Sequence, residues 1–153
     1  MQKNKVSNLR SHLGFWMRFV SNSVSYSFAH KIEGQGVTVA EWVILREMYE
    51  HQDKTSPSEI IEQTGLTKGA VSKLVDRLCV KKLVIRLSAK HDKRYQEIGL
   101  TEKGRALVPQ LARLADINDK EFFGFLNIKE HMELERILKV IVKKNKLSQT
   151  PVN

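Results

Sequence analysis

The sequence lacks the features of disulfide-bonded, secreted and membrane proteins. It has one cysteine, Cys79, among 153 residues, so neither an internal disulfide nor a multi-cysteine zinc site can form. No apolar run is long enough to cross a bilayer, and the polar segment from Met1 to Arg10 has no hydrophobic centre of a signal peptide. We therefore expect a cytoplasmic protein without a membrane partner.

Signatures of catalysis and metal binding are also missing. There is no glycine-rich phosphate loop, no nucleophile with a nearby base and no pair of acids in an apolar setting, so we do not expect an enzyme. The histidines are scattered without the spacing of metal ligands: His12, His30, His51, His91 and His131. We expect neither a metal nor a cofactor. Cys79 falls on the apolar side of a predicted helix, which disfavours redox sensing.

Positive charge is in excess. Lys and Arg number 26 against 17 Asp and Glu, which gives a formal charge of +9 per chain. This surplus favours a polyanionic partner, because each neutralised phosphate releases counterions. Ribosomal, membrane-surface and ordinary basic proteins share such a balance, so the arrangement of the charges has to decide between them. The length and the 41% hydrophobic share fit one globular domain.

The middle of the chain predicts a helix-turn-helix. A short helix is predicted over residues 57–64, with Ser56 and Glu59 as its capping box. Gly65 suits the left-handed turn that ends this helix, and the next helix is predicted over about 68–82. Two helices joined by such a short turn are typical of a helix-turn-helix.

An extended hairpin follows the second of these helices. Residues 83–87 are rich in Val, Ile and Leu, and apolar residues alternate with others over 95–100. These two predicted strands bracket a polar tip from Ser88 to Arg94. A hairpin directly after a helix-turn-helix is the wing of a winged helix-turn-helix.

Other helices surround this core. A long amphipathic helix is predicted from Asn8 to Lys31, and a mostly apolar helix, with a capping box of Thr38 and Glu41, is predicted over 39–50. Another long helix begins after Thr101, and Pro109 is expected to bend it rather than end it. The last helix is predicted over 128–144, and residues 145–153 are expected to be disordered.

The predicted fold class is mainly α with a small β-hairpin wing, in a single domain over residues 1–153. The winged helix-turn-helix lobe is expected over 37–104, and dimerisation helices are expected over 8–32 and 105–145. The small lobe cannot cover the apolar faces of the first and last helices. The economical solution is that these helices pair with a second copy of the chain.

One face of the predicted 68–82 helix has the chemistry of a DNA-contacting surface. Its members, called the recognition face below, are Lys68, Gly69, Ser72, Lys73, Asp76 and Arg77. Lys donates to guanine or phosphate, Ser bonds either, and Gly69 permits close approach to the duplex. The alternative is an ordinary solvated helix face, which the preceding turn makes less attractive.

The hairpin tip carries three cations, Lys90, Lys93 and Arg94, together with one acid, Asp92. Such a tip costs self-repulsion and serves no core, whereas an arginine on a wing can enter the narrow, negative minor groove. Asp92 would then orient Arg94 through a charge-assisted hydrogen bond. A plain charged turn is the alternative.

Four segments in order resemble the MarR family of bacterial and archaeal regulators: Thr67 to Leu78, Leu83-Val84, Asp92-Lys93-Arg94 and Leu100 to Arg105. The likeness covers Val37 to Leu111 well and the outer helices only by pattern. It implies a triangular homodimer held by its terminal helices. On that model the recognition helices enter successive major grooves of a near-palindromic site, and the wings reach minor grooves.

The resemblance also assigns DNA contacts to individual residues. Ser72 and Lys73 match base-contacting positions of the family, and Lys68 and Arg77 match phosphate contacts. Lys73 stands where many relatives carry arginine, so bidentate recognition of guanine is less assured. On the wing, the tip arginine and the acid that braces it correspond to Arg94 and Asp92.

The resemblance further implies a small effector, since relatives commonly bind phenolic or aromatic acids between the dimer helices and the DNA-binding lobe. Candidate aromatic walls and a carboxylate partner are His12, Trp16, Phe19, Trp42 and Arg46. Ordinary packing or surface roles are the alternative for each of these residues. Peroxide-sensing relatives use a cysteine in the first helix, and this chain has none there.

The function expected from the sequence is sequence-specific DNA binding by a transcriptional regulator. Its expected partners are double-stranded DNA, a second copy of the chain and a small aromatic acid. Repression is the default, because a dimer on a promoter blocks polymerase without a further contact surface. The alternative is a winged helix that binds proteins, since a fold does not fix a function. Its cationic wing and polar recognition face argue against that alternative.

Overall fold

The computed structural model describes residues 6–88 and 96–153. Its helices are α1 (Leu13–Glu33), α2 (Val39–Glu50), α3 (Pro57–Thr64), α4 (Lys68–Val80), α5 (Glu102–Phe123) and α6 (Ile128–Lys144). Its strands are β1 (Lys54–Thr55), β2 (Val84–Ser88) and β3 (Gln96–Leu100). This order confirms the predicted mainly α fold with a winged helix-turn-helix. None of the described helices combines the length and apolarity that crossing a membrane requires.

Side-chain caps set the helix starts, as the sequence predicts. The Thr38 hydroxyl accepts from the backbone N–H of Glu41, whose carboxylate accepts from the backbone N–H of Thr38. Ser56 and Glu59 form the same reciprocal pair at α3. Gly65 ends α3 in the left-handed conformation, with φ of 69°, and permits the tight turn into α4.

The three strands form one antiparallel sheet in the order β1-β3-β2. Strand β1 lies between α2 and α3, where the sequence analysis predicts no strand. Thr55 pairs with Ile98 and is buried, so even a polar segment is held by backbone hydrogen bonds to the wing. Ser88 pairs with Gln96 in the last described step of the hairpin.

The core lies between α2, α3, α4, the sheet and the first half of α5. Its fully buried apolar residues include Ile44, Leu45, Ile60, Leu78, Ile98 and Leu111. By contrast, α1 buries only Ile32 and α6 buries no residue. The described chain therefore has one closed lobe and two outer helices with solvent-exposed apolar side chains.

The start of the first helix differs from the prediction. Residues Leu9–Ser11 form a 3-10 turn, and α1 begins only at Leu13. The Asn8 side chain accepts from the backbone N–H of Arg10, and His12 is extended, with φ of −91° and ψ of 128°. This local capping interaction competes with continuous helix.

The recognition helix ends earlier than predicted, whereas α5 continues past its proline. Helix α4 ends at Val80, because Lys82 adopts a left-handed conformation with φ of 59°. Pro109 lies inside α5 and does not end it, as predicted.

A polar cluster fixes α1 on α5. The Lys31 ammonium donates to Ser27 and to Asn118, and it pairs with Glu121 at 2.6 Å. The buried Asn118 amide also donates to the backbone carbonyl of Val24 at 3.2 Å. Because α5 begins in the lobe, this cluster connects the lobe to the outer helix α1.

The chain after α6 is not disordered as predicted but lies against the helix-turn-helix. The backbone N–H of Thr150 donates to the carbonyl of Gln63 at 2.7 Å. The Gln149 side chain lies so close to Gly65 that a Cβ at position 65 would overlap it. Residues 145–153 lack an apolar pattern, so nothing in the segment predicts this contact.

Candidate nucleic-acid interface

The recognition face lies entirely on the solvent side of α4. The opposite side of this helix is buried in the lobe through Val71, Leu74, Val75 and Leu78. The Thr67 hydroxyl accepts from the backbone N–H of Ala70 and fixes the first turn. All six members of the predicted recognition face are exposed, so a rigid helix presents them together.

Gly69 leaves open space beside the first turn of α4. A Cβ built at this position meets no atom within 4 Å. The absence of a side chain at Gly69 is therefore not required by packing within the described chain. It is consistent with a close approach of another molecule to this part of the recognition face.

A buried carboxylate lies beneath the C-terminal half of α4. Glu41 is 0% exposed, and its Oε1 accepts from Nε of Arg77 at 3.2 Å. Its Oε2 accepts from Nζ of Lys81 at 2.7 Å and from the backbone N–H of Thr38 at 2.9 Å. Sequence reasoning identified Glu41 only as a capping residue. The available signal was an acid in the first turn of a mostly apolar helix.

Electrostatics keep this buried carboxylate ionised. Burial alone would raise the pKa of Glu41, because the charged form loses its hydration. Hydrogen bonds from Lys81 and the Thr38 backbone, the charge of Lys81 and the hydrogen bond from Arg77 outweigh burial. They hold the pKa below its ordinary value. Glu41 is therefore a carboxylate at neutral pH, and it neutralises part of the cationic charge behind the recognition face.

A second ionic contact joins α4 to the wing. Arg86, on β2, donates to Asp76 at 2.5 Å and to the Gln96 side chain at 2.9 Å. The acid on the recognition face therefore holds the first wing strand against the recognition helix. Sequence analysis missed Arg86, because nothing in the spacing shows that a strand residue meets Asp76.

The predicted wing-tip residues Asp92 and Arg94 lie outside the described residues. The two strands that lead to the tip are described up to Ser88 and from Gln96 onward. The bracing of Arg94 by Asp92 therefore stays a prediction.

The five candidate effector residues do not form one site within the described chain. Trp16 is exposed near the start of α1, and its Nε1–H donates to the carbonyl of Arg10 at 2.9 Å. Trp42 instead contacts Phe28, which lies about 18 Å further along α1 at 1.5 Å per residue. Arg46 pairs with Glu50 at 2.6 Å. His12 and Phe19 are exposed near Trp16 in sequence.

Cavities found in the described part of the chain have other linings. One, of about 500 Å³, lies between α2, α3 and the sheet, with Met48, His51, Lys54, Glu59 and Glu97 in its wall. Among residues 6–88 and 96–153, no group of three or more His, Cys, Asp or Glu could hold a metal ion. Cys79 is half-buried.

Comparison with known proteins identifies this arrangement. The MarR family model matches residues 35–94, which contain the helix-turn-helix and the first wing strand, β2. Over these residues the chain is similar to the MarR family. The resemblance predicted from the sequence is confirmed, and MarR-family proteins are transcriptional regulators.

Curated relatives support this assignment. The transcriptional repressor YetL of Bacillus subtilis is 28% identical over 92 residues, which cover 60% of this chain and 55% of YetL. The chain thus spans about half the length of YetL. The transcriptional regulator SarZ of Staphylococcus aureus is 26% identical over 140 residues, 91% of this chain and 92% of SarZ.

Solved structures share the fold. A cysteine-to-serine variant of Escherichia coli MarR, in complex with operator DNA, is 24% identical, with a TM-score of 0.75 over 89% of this chain and 99% of MarR. Bordetella bronchiseptica BpsR, whose DNA binding is regulated by 6-hydroxynicotinic acid, is 23% identical, also with a TM-score of 0.75. That match covers 89% of this chain and 96% of BpsR.

Proposed function

We propose that this chain is a MarR-family regulator that binds a near-palindromic operator as a homodimer and represses transcription. The observation that carries the proposal is the recognition face, a polar and cationic surface on a helix whose other side is locked in the core. Ser72 and Lys73 contact bases, whereas Lys68 and Arg77 contact phosphates. The E. coli MarR structure in complex with operator DNA, which shares this fold, supports DNA as the partner.

The homodimer is proposed because α6 carries an unpaired apolar stripe. Leu134, Ile137, Leu138 and Ile141 follow helical spacing and are all exposed in the described chain. Exposed apolar side chains of α1, including Leu13 and Val20, offer a second such surface. A symmetric pair of chains buries both sets and gives the two recognition helices that a near-palindromic site needs.

Repression and effector release complete the proposal. YetL is a repressor, and BpsR is regulated by a small aromatic acid. In the dimer, His12, Trp16, Phe19, Trp42 and Arg46 contribute to an effector cleft completed by the second chain. Such a ligand acts only by binding the two dimer states unequally.

A panel of aromatic acids including 6-hydroxynicotinic acid should contain one that lowers DNA affinity about 5- to 150-fold. A panel with no effect on a well-bound operator would refute effector release.

The alternative is a winged helix that binds proteins only. The test is a footprint on the DNA upstream of the chain's own gene, followed by titration of the protected duplex and a scrambled duplex at several salt concentrations. The proposal expects a salt-dependent footprint with two half-sites. A chain that binds neither duplex at low salt supports the alternative.

Three variants then separate helix from wing. Lys73→Ala should cost about 1–3 kcal/mol on the protected site alone if Lys73 contacts a base edge. Arg94→Ala should weaken both duplexes while leaving the preferred sequence little changed, because the minor groove distinguishes mainly A·T from G·C. Asp92→Ala should also weaken binding if Asp92 braces Arg94. Tighter binding by Asp92→Ala with unchanged affinity for Arg94→Ala would contradict the wing model.

A further inference from the structure

Arg77 reaches the surface of α4 from a buried anchor. Its Nε donates to the fully buried Glu41, while the side chain remains 53% exposed. Among the described residues, neither Nη group of Arg77 has a hydrogen-bond partner. The guanidinium is planar, so an Nε held by Glu41 fixes the plane in which both Nη groups lie.

This anchoring matters because an arginine side chain is otherwise flexible. A rotamer-rich side chain that is immobilised only on binding costs about 0.5–1.5 kcal/mol of affinity. The hydrogen bond to Glu41 restricts the Arg77 side chain before DNA binds. It is itself fixed, since Lys81 and the Thr38 backbone hold its other oxygen.

We propose that Glu41 is a positioning residue for DNA binding, which fixes the Arg77 guanidinium so that its Nη groups meet the phosphate backbone. The inference rests on the proposed function, because it assumes that α4 contacts DNA. It opposes the simplest electrostatic expectation. An acid close to DNA should repel phosphate, so on net charge alone its removal should tighten binding.

The chain contains a matched control for Glu41. Glu59 is also the third residue of a helix and accepts from the backbone N–H of its N-cap residue. Among the described residues its side chain pairs with Thr55 and Ser56 but with no cation. Glu59→Gln therefore removes one carboxylate and weakens one capping box without touching Arg77.

The experiment is a double-mutant cycle on duplex affinity at several salt concentrations. Arg77→Ala should weaken binding and reduce the salt slope by about one, as expected for one lost phosphate contact. Glu41→Gln should weaken binding about 3- to 10-fold, the cost of one unheld side chain. In the Arg77→Ala background Glu41→Gln should cause no further loss. Glu59→Gln should bind no more weakly than the unmodified protein.

Each contrary result has a distinct meaning. An unmodified chain that fails to bind any duplex refutes the proposed function and this inference together. An unmodified chain that binds well, with Glu41→Gln equally tight or tighter, refutes only the role of Glu41. An equal loss from Glu41→Gln with and without Arg77 would show a general structural effect and also overturn the inference.

A second variant covers the case in which Glu41→Gln does not fold. Arg77→Lys keeps the positive charge, but all three of its donors lie on one nitrogen. An ammonium that pairs with Glu41 therefore lacks the separate, planar pair of outward nitrogens that the guanidinium provides. Its affinity should fall nearly as far as that of Arg77→Ala, although circular dichroism shows an intact fold. Full affinity in Arg77→Lys would overturn the positioning role.

Discussion

Helices α4 and α6 are both amphipathic, yet they use their apolar sides differently. Helix α4 places four apolar residues in the core and displays a polar face to solvent. Helix α6 displays charged residues as well, but its apolar stripe is exposed and none of its residues is buried. The same sequence pattern therefore has a partner within the chain in one case and lacks it in the other.

This difference distinguishes the apolar surfaces that one chain buries by itself from those that it leaves exposed. The lobe has a closed core that positions the recognition face without a second copy. The outer helices gain burial only from an additional partner, since contiguous apolar surface of this kind marks interaction sites. In the proposed dimer, the lobe supplies the contacts to DNA and α6 sets the distance between two such lobes.

The largest effect should follow from a charge in the α6 stripe. In Leu138→Glu a carboxylate replaces a side chain that is 36% exposed in one chain and is buried in the proposed dimer. Each copy costs at least about 2 kcal/mol. Because a symmetric dimer carries two copies, its dissociation constant should rise on the order of 1000-fold.

Sedimentation over a range of protein concentrations measures this change. Lys139→Glu is the control, because it introduces a carboxylate on the opposite side of the same helix. It should remain dimeric. A Leu138→Glu chain that is as dimeric as the unmodified protein would place the interface elsewhere.

A smaller loss, in the lobe, should follow from Leu78→Ala. Leu78 is fully buried on the inner side of α4, so the truncation leaves a cavity and lowers the free energy of unfolding by about 2–5 kcal/mol. Val80→Ala is the control on the same helix, because Val80 is 82% exposed, and it should change stability by less than about 0.5 kcal/mol. Urea unfolding at two protein concentrations provides the comparison.

The concentration dependence distinguishes the two regions. The loss caused by Leu78→Ala should be the same at both concentrations, because its partners belong to the same chain. A loss that vanishes at high concentration would mean that the lobe also depends on the partner.

Sequence patterns predicted elements that depend on local residues. Caps at Thr38 and Ser56 and the turn at Gly65 specify helix ends within a few residues, and each is observed. Apolar periodicity correctly separated the buried side of α4 from its recognition face. Each of these signals involves residues that are close in the sequence, so a single sequence is enough to predict them.

Contacts between distant segments could not be predicted in the same way. The Glu41–Arg77 pair joins residues 36 positions apart, and the Asp76–Arg86 pair joins a helix to a strand. Strand β1 and the contact between Thr150 and Gln63 likewise depend on how separate elements meet in space. Neither apolar periodicity nor capping patterns predict such long-range contacts.

Glu41→Gln should lower the free energy of unfolding at neutral pH by less than Leu78→Ala does, and this loss should disappear in acid. The pKa of Glu41 is lowered in the folded chain from its ordinary value of 4.5. Its stabilising contribution is therefore present above the unfolded pKa and is lost as pH falls through the folded pKa. At neutral pH the substitution should cost about 1.5–3 kcal/mol, the value of hydrogen bonds to a charged group.

Urea unfolding of both proteins between neutral pH and about pH 4 tests this linkage. The difference in unfolding free energy should be constant near neutrality and should shrink in acid. A difference that grows in acid would show that burial, not ion pairing, controls this carboxylate.

The smallest effect on stability should come from Gly69→Ala, and its sign should oppose the effect on DNA binding. Gly69 is exposed, and an added Cβ meets nothing within 4 Å, so the gain in helix propensity should stabilise α4 by up to about 0.5–1 kcal/mol. The same methyl group would stand between the recognition face and the duplex, and should therefore weaken DNA binding.

Gly14→Ala is a matched control, because Gly14 is also the second residue of a helix and has equally open space. Thermal unfolding and duplex titration should show a similar stability gain for both variants and an affinity loss for Gly69→Ala alone. Unchanged affinity in Gly69→Ala would mean that the first turn of α4 does not approach the DNA closely.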